Sequence, residues 1–151
     1  MSDIISDNQY VIFELGQETF GVEINRVREI IEYQQTTQIP GTGDLIDGVI
    51  NLRGHVISIF NLRRKFGFPD TEITRNSRIV VMEANDNTVG IVVDGVTEVQ
   101  MITGNVIEKP PSIITSSVDS NYVSGVAKIE EKLVIILDLE KVINIRVDEA
   151  V

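Results

Sequence analysis

The apolar residues of Gly48 to Leu62, GVINLRGHVISIFNL, run through Val49, Ile50 and Leu52, stop at Arg53-Gly54, and resume through Val56, Ile57, Ile59 and Phe60. Two β-rich segments joined by a glycine-containing turn predict a hairpin. The pattern returns without a gap at Gly125 to Leu139, GVAKIEEKLVIILDL, where Gly48 falls on Gly125, Leu52 on Ile129, Ile57 on Val134, Ile59 on Ile136 and Leu62 on Leu139. One residue of the first copy does not fit its surroundings. Arg53 is a cation between two apolar strands, and its counterpart is Glu130.

Upstream, Tyr10–Leu15 has strand composition, Gly16-Gln17-Glu18 reads as a turn, and Thr19–Ile24 as a second strand. Asn25-Arg26-Val27 is a bend leading into Arg28–Glu32, a short segment whose pattern fits helix and strand alike. This block also recurs, displaced by 69 residues, with Tyr10–Leu15 on Ile79–Ala84, Gly21-Val22 on Gly90-Ile91, Asn25 on Asp94 and Glu29 on Glu98. The hairpin block recurs at 77, so eight extra residues fall between Gln100 and Gly125, where Pro110, Pro111 and Thr115–Ser117 give loop composition. The chain is therefore an internal duplication. Each half supplies about five short strands, the spacing of small barrels or sandwiches, followed by a short helix. Asn61 and Asp138 stand where N-caps belong, with Leu62–Phe66 and Leu139–Ile143 after them and Gly67 and Pro69 closing the first. A half of ~70 residues buries little alone, so the two are expected to pack on a shared apolar seam.

Composition and charge sharpen this in three respects. The 151 residues are 42% hydrophobic but only 5% aromatic, which fits interior strands better than stacking platforms. With no cysteine, disulfides and thiolate zinc sites are excluded. The net charge of −10 removes any general electrostatic reason to bind nucleic acid or an anionic membrane. That charge is uneven, at −4 over residues 1–20, +1 over 21–79 and −7 over 80–151, so the arginines gather in the first half. No apolar run reaches the length of a membrane span, and MSDIISDNQ lacks the basic flank and apolar core of a signal peptide.

Catalytic chemistry finds little to stand on. His55, the single histidine, follows a turn and has no carboxylates at metal-ligand spacing. There is no Gly-x-Ser-x-Gly elbow, and Gly41–Gly48 lacks the lysine-serine ending of a phosphate loop. Asp94 with Glu98, Asp44 with Asp47, and Glu130 with Glu131 are paired acids that read as solvated charges in so acidic a chain. Asp119-Ser-Asn121 lacks the remaining ligands of a calcium loop, and Arg53, Arg63, Arg64, Arg75 and Arg78 lack interleaved aromatics for single-strand binding.

With both repeats in view, the chain resembles the CheW family of chemotaxis coupling proteins. GVINLRG (48–54), VGIVVDGVTEV (89–99) and YVSGVAKIEEKLVIILDLEKV (122–142) carry the resemblance, supported by GVEINRVREIIE (21–32) and Ile39-Pro40. Similarity extends over residues 10–145; the departure is Ser58, where members often have proline. The resemblance implies an all-β fold of two intertwined five-stranded SH3-like barrels on a shared hydrophobic core, with short helices. It implies one CheW-like domain over residues 1–151, its subdomains being roughly 10–75 with part of the C-terminal segment, and 76–145. The implied function is non-enzymatic: an adaptor between the cytoplasmic tips of chemoreceptors (methyl-accepting chemotaxis proteins) and the regulatory domain of the histidine kinase CheA. No cofactor, metal, nucleic acid or direct membrane insertion is implied, and the location is cytoplasmic, at receptor arrays reached through partners. Receptor-contact positions of the family fall on Val27, Glu29, Gly48, Arg53 and Ile79. The kinase surface falls on the second barrel near Val89 to Val99, with no residues singled out. Two alternatives remain: a small β-barrel ligand-binding or carboxylate-dependent enzyme domain, marked by a polar cleft between the halves, and a regulatory fragment of a larger kinase, against which a chain running from Met1 to Asp-Glu-Ala-Val argues.

Overall fold

Strand β1 (Asn8–Leu15) shows how the chain uses both faces of a strand. Tyr10 and Ile12 point to one core and Val11, Phe13 and Leu15 to another, and all five are buried. Its repeat, β6 (Arg78–Ala84), does the same, with Ile79 and Val81 on one side and Val80, Met82 and Ala84 on the other. Burial on both faces is why these segments read as continuous apolar runs rather than alternating ones. A computed structural model describes residues 8–41, 45–84, 86–103, 106–108 and 122–143. The insertion loop at Pro110–Ser117, Asp44 and Asp119–Asn121 lie outside them, as do the first seven of the polar residues 1–9 expected to fray, whereas Asn8 and Gln9 belong to β1.

The other strands are β2 (Glu18–Glu23), β3 (Val27–Glu32), β4 (Ile46–Leu52), β5 (His55–Phe60), β7 (Asn87–Val93), β8 (Gly95–Ile102), β9 (Ile107–Glu108), β10 (Val123–Ile129) and β11 (Lys132–Leu137). The ambiguous Arg28–Glu32 segment is strand. Burial in β3 alternates residue by residue, and β3 pairs antiparallel with β6 after the 3-10 turn Ile24–Arg26.

Strand order shows an exchange between the halves. One sheet runs β8-β1-β2-β11-β10-β9 and the other β3-β6-β7-β5-β4, so each half lends its first hairpin to the other's sheet. The loan is sealed by two parallel pairings, β2 to β11 through Phe20↔Ile135 and β5 to β7 through Ser58↔Val89. These are equivalent positions under the displacements of 69 and 77. Both sheets then roll closed by one device. Thr37, a few residues beyond β3, exchanges two 2.9 Å backbone hydrogen bonds with Val49 of β4. In the other sheet β9, a few residues beyond β8, pairs with β10 at Val126↔Glu108. Counting each bent strand once leaves two intertwined five-stranded SH3-like barrels.

Three cores result. Ile50, Ile57, Ile59, Ile79 and Val81 fill the first barrel, and Tyr10, Ile12, Ile102, Ala127, Val134 and Ile136 the second. Between them lies the largest cluster, where Phe13, Phe20 and Phe66 stack at centroid distances of 5.6 and 5.7 Å. The expected seam is there and filled. It includes both short helices, α1 (Leu62–Phe66) and residues 139–143. Asn61 Oδ1 accepts from the Arg64 amide at 3.0 Å and Asp138 Oδ1 from the Lys141 amide at 3.2 Å, while Gly67 ends α1 at φ 79°. Each capping side chain is worth ~1 kcal/mol.

Replacing Ile136, 3% exposed, with Asp puts a carboxylate without a partner inside the second barrel, a penalty comparable with the ~5–15 kcal/mol that holds a domain folded. The variant is expected to show no cooperative melt by circular dichroism. A cooperative melt near the parent temperature would place Ile136 outside the core.

Candidate docking surface

The β4–β5 turn is built by Arg53 and Gly54, both at positive φ (51° and 88°), as a two-residue hairpin loop requires. The Gly54 amide donates to Asn51 Oδ1 at 2.9 Å and fixes the turn. From there the Arg53 guanidinium reaches across the barrel mouth and pairs with Glu29 of β3. A register shift between Val27 and Glu29 aims the carboxylate at that mouth. The Arg53 side chain stays 66% exposed and that of Glu29 32%. A pair so exposed adds ~0–1 kcal/mol to stability, so its effect is to hold a cation in one orientation at the surface.

The other expected contact positions separate from this pair. Val27 is half-buried against the seam, in register with Met82. Gly48 is buried for an internal reason. At φ 148°, it lies where a Cβ would come within 2.4 Å of the Thr37 carbonyl oxygen, so its missing side chain lets the barrel close. Gly125 has the same duty, its Cβ position lying 2.4 Å from Ile107 Cγ2. Ile79 is 0% exposed, inside the first barrel, and offers no surface to a partner; its place among the contact residues is corrected to a core role. Val56 was missed. It flanks the Arg53 turn at 73% exposure, and strict alternation along β5 against the buried Ile57 and Ile59 was the signal for it.

The window Val89–Val99 is divided by the fold. Val89, Ile91 and Val93 lie on β7, in the sheet of β3–β5, and are buried in the seam. Only β8 belongs to the second barrel, and it exposes Val99 at 47% and Met101 at 56%.

Asp94, one of the paired acids, is a structural tie where the chain crosses between sheets. It accepts from the Gly16 amide at 2.9 Å and pairs with Arg63 at 2.5 Å. Arg63 also donates to the Pro69 carbonyl, and Arg64 pairs with Asp47 and Asp70. Arg26, Arg28, Arg53, Arg63, Arg64 and Arg78 are thus distributed among carboxylates and carbonyls of the same chain. Among the described residues no group of His, Asp and Glu comes together to hold a metal, and no helix is long and apolar enough to cross a membrane.

The comparisons with known proteins agree with this architecture. The family model described as the CheW-like domain matches residues 9–147. The chemotaxis protein CheW of Klebsiella aerogenes is 36% identical over 136 residues, 90% of this chain and 81% of that protein. That of Bacillus subtilis is 29% identical, over 95% of this chain and 91% of that protein. The crystal structure of the scaffolding protein TtCheW from Thermoanaerobacter tengcongensis is similar at a TM-score of 0.81 and 37% identity, covering 87% of this chain and 84% of that one. The chain belongs to the CheW family of chemotaxis coupling proteins.

Gly48, within β4, and Gly54, in the β4–β5 turn, separate barrel closure from turn geometry. Gly48→Ala forces backbone to move and is expected to cost about 3 kcal/mol in urea denaturation, the upper end for overpacking. Gly54→Ala meets nothing within 4 Å and should cost about 1 kcal/mol, from its positive φ alone. Equal costs would mean that Gly48 does not carry the closure.

Proposed function

We propose that this chain is a non-enzymatic adaptor that holds chemoreceptor cytoplasmic tips and the regulatory domain of the histidine kinase CheA in fixed relation, at the cytoplasmic face of receptor arrays. Family membership supports the class of function. The observation that carries the receptor side is the Arg53–Glu29 pair, a cation presented at a barrel rim and held by a partner on a neighbouring strand. A polar helical tip offers carboxylates and carbonyls to such a group, and charge-assisted hydrogen bonds are the stronger kind. Val27 and the exposed Val56 supply apolar surface on the same barrel, and Gly48 acts indirectly by fixing the hairpin on which Arg53 sits. The kinase side is assigned to β8 of the second barrel, where Val99 is the exposed apolar residue of the expected window and Met101 lies just beyond it. The filled apolar seam speaks against the alternative of a ligand-binding or carboxylate-dependent enzyme between the halves, although a cavity of about 280 Å3 opens at its edge among Glu23, Arg26, Glu83, Asp138 and Glu140, where Arg26 is paired with Glu140.

The test is co-sedimentation of receptor tips and kinase with this protein present or absent. Arg53→Glu is expected to abolish recovery with receptor tips, to leave kinase binding intact and to shift the melting temperature by no more than a few degrees. A large drop in melting temperature would make Arg53 a folding residue instead. Purified protein incubated with ATP is expected to release no phosphate and transfer none, and reproducible turnover would overturn the adaptor reading.

A further inference from the structure

The duplication places equivalent residues at the two barrel mouths, and the mouths differ. On the first barrel Glu29 is in register with Val81 beside a bulge in β3, and Arg53, at φ 51°, reaches it from the β4–β5 turn. On the second, Glu98 is in register with Ile12 beside the matching bulge, and the β10–β11 turn carries Glu130 at φ 48°. The backbone at the two turns is superposable in φ, but the cation has been replaced by a carboxylate. Glu98 and Glu130 form no ion pair with any described residue.

Where Arg53 spans the first mouth, the second holds a cavity of about 300 Å3. Ile12 and Val134 lie at its base, and Thr19, Thr97, Glu98, Gln100, Glu130 and Lys132 surround it. The Thr97 hydroxyl donates to the Ile12 carbonyl at 3.2 Å, which leaves its oxygen as an acceptor. Two carboxylates against one lysine make the opening net negative. No third carboxylate or histidine joins them among the described residues, so the donor set is not that of a metal site.

We propose that this mouth binds an arginine side chain presented by a partner protein. The guanidinium enters between Glu98 and Glu130 and takes, from outside, the place that Arg53 occupies from within on the other barrel. Three features select arginine. Its planar fork of five donors matches two carboxylates that approach from different strands, where a lysine ammonium offers a single point of charge. Its stem is apolar and lies against Ile12 and Val134. The cavity sits at the small end of ligand sites, sized for a side chain rather than a cofactor. The site shares strand β8 with the kinase assignment above, but rests on Glu98 and Glu130 rather than on Val99 and Met101.

The probe is N-acetyl-arginine amide, titrated into isotope-labelled full-length protein at low salt, with the uncharged citrulline analogue as control. Saturable shifts of the Thr97, Glu98, Ile129 and Glu130 amides are expected with the arginine probe and not with citrulline. Glu98→Gln is expected to weaken binding at least tenfold while the rest of the amide spectrum stays in place. Glu130→Arg is expected to abolish binding and raise the melting temperature, because its new side chain follows the path of Arg53 and pairs with Glu98 in the same molecule. Equal shifts with both probes, or unchanged affinity in Glu98→Gln, would overturn the proposal.

Discussion

The seam between the barrels is the constraint on which everything else rests. Each half has too few residues to enclose a core that would stand alone, and the structure meets that shortage by exchange rather than by simple stacking. Hairpins β1–β2 and β6–β7 are each buried on both faces, one face lining a barrel and the other the seam. Because each hairpin pairs with strands of the opposite half, neither barrel can form without the other. Glycine permits the tightest part of this arrangement. A Cβ on Gly90 would lie 2.7 Å from Ile59 Cδ1, and one on Gly21 would lie 3.3 Å from Ile136 Cδ1. Those two glycines occupy the parallel junctions that join lent hairpin to host sheet.

Ion pairs then fix how the chain passes from one sheet to the other, and the duplication has inverted their polarity. At one crossing Arg63, after β5, holds Asp94, and the arginine side chain is only 14% exposed. At the other Glu140, after β11, is paired at 2.7 Å with Arg26, which is 46% exposed. Position 63 plus 77 is position 140, so the charge there has changed sign, and its partner has moved by one residue, from the position equivalent to Asn25 to the neighbouring Arg26. The partly buried pair, with the Gly16 amide as a further donor, carries more of the restraint than the exposed one. The same divergence separates the barrel mouths, where interior positions stayed apolar, with Tyr10 at the place of Ile79, while the rims changed charge. Copies of one unit thereby present different chemistry from the same scaffold.

This history also explains what could be read from residues alone. The repeats, the N-caps at Asn61 and Asp138, the terminating Gly67 and the shared seam are consequences of local chemistry or of period, and all were visible. The exchange of hairpins was not, because strand pairing is non-local and sequence order places β7 beside β8 although they lie in different sheets. That is why one window spanned a buried strand and an exposed one. Strand β3 was ambiguous because its outward positions are Arg28, Ile30 and Glu32, which weakens the period-two signal. Ile79 came from family resemblance, which carries no information on burial. The Arg53–Glu29 pair needed geometry, since its members lie on strands that are not neighbours in the sheet order.

An adaptor gains from closed barrels for a thermodynamic reason. Association costs rotational freedom, and every loop or side chain ordered at the interface adds to that cost. A rim residue such as Arg53, held by Glu29 on a closed sheet, loses little further freedom when a partner arrives. At the second mouth only the backbone is set in this way, Glu98 by register with Ile12 and Glu130 by the left-handed turn, and neither carboxylate is held by a partner among the described residues. With −7 of the net charge in residues 80–151, that half draws cationic groups at long range and discriminates against acidic ones, which governs encounter and register more than affinity. The asymmetry of charge between two copies of one fold therefore lets a single scaffold present two chemically different rims.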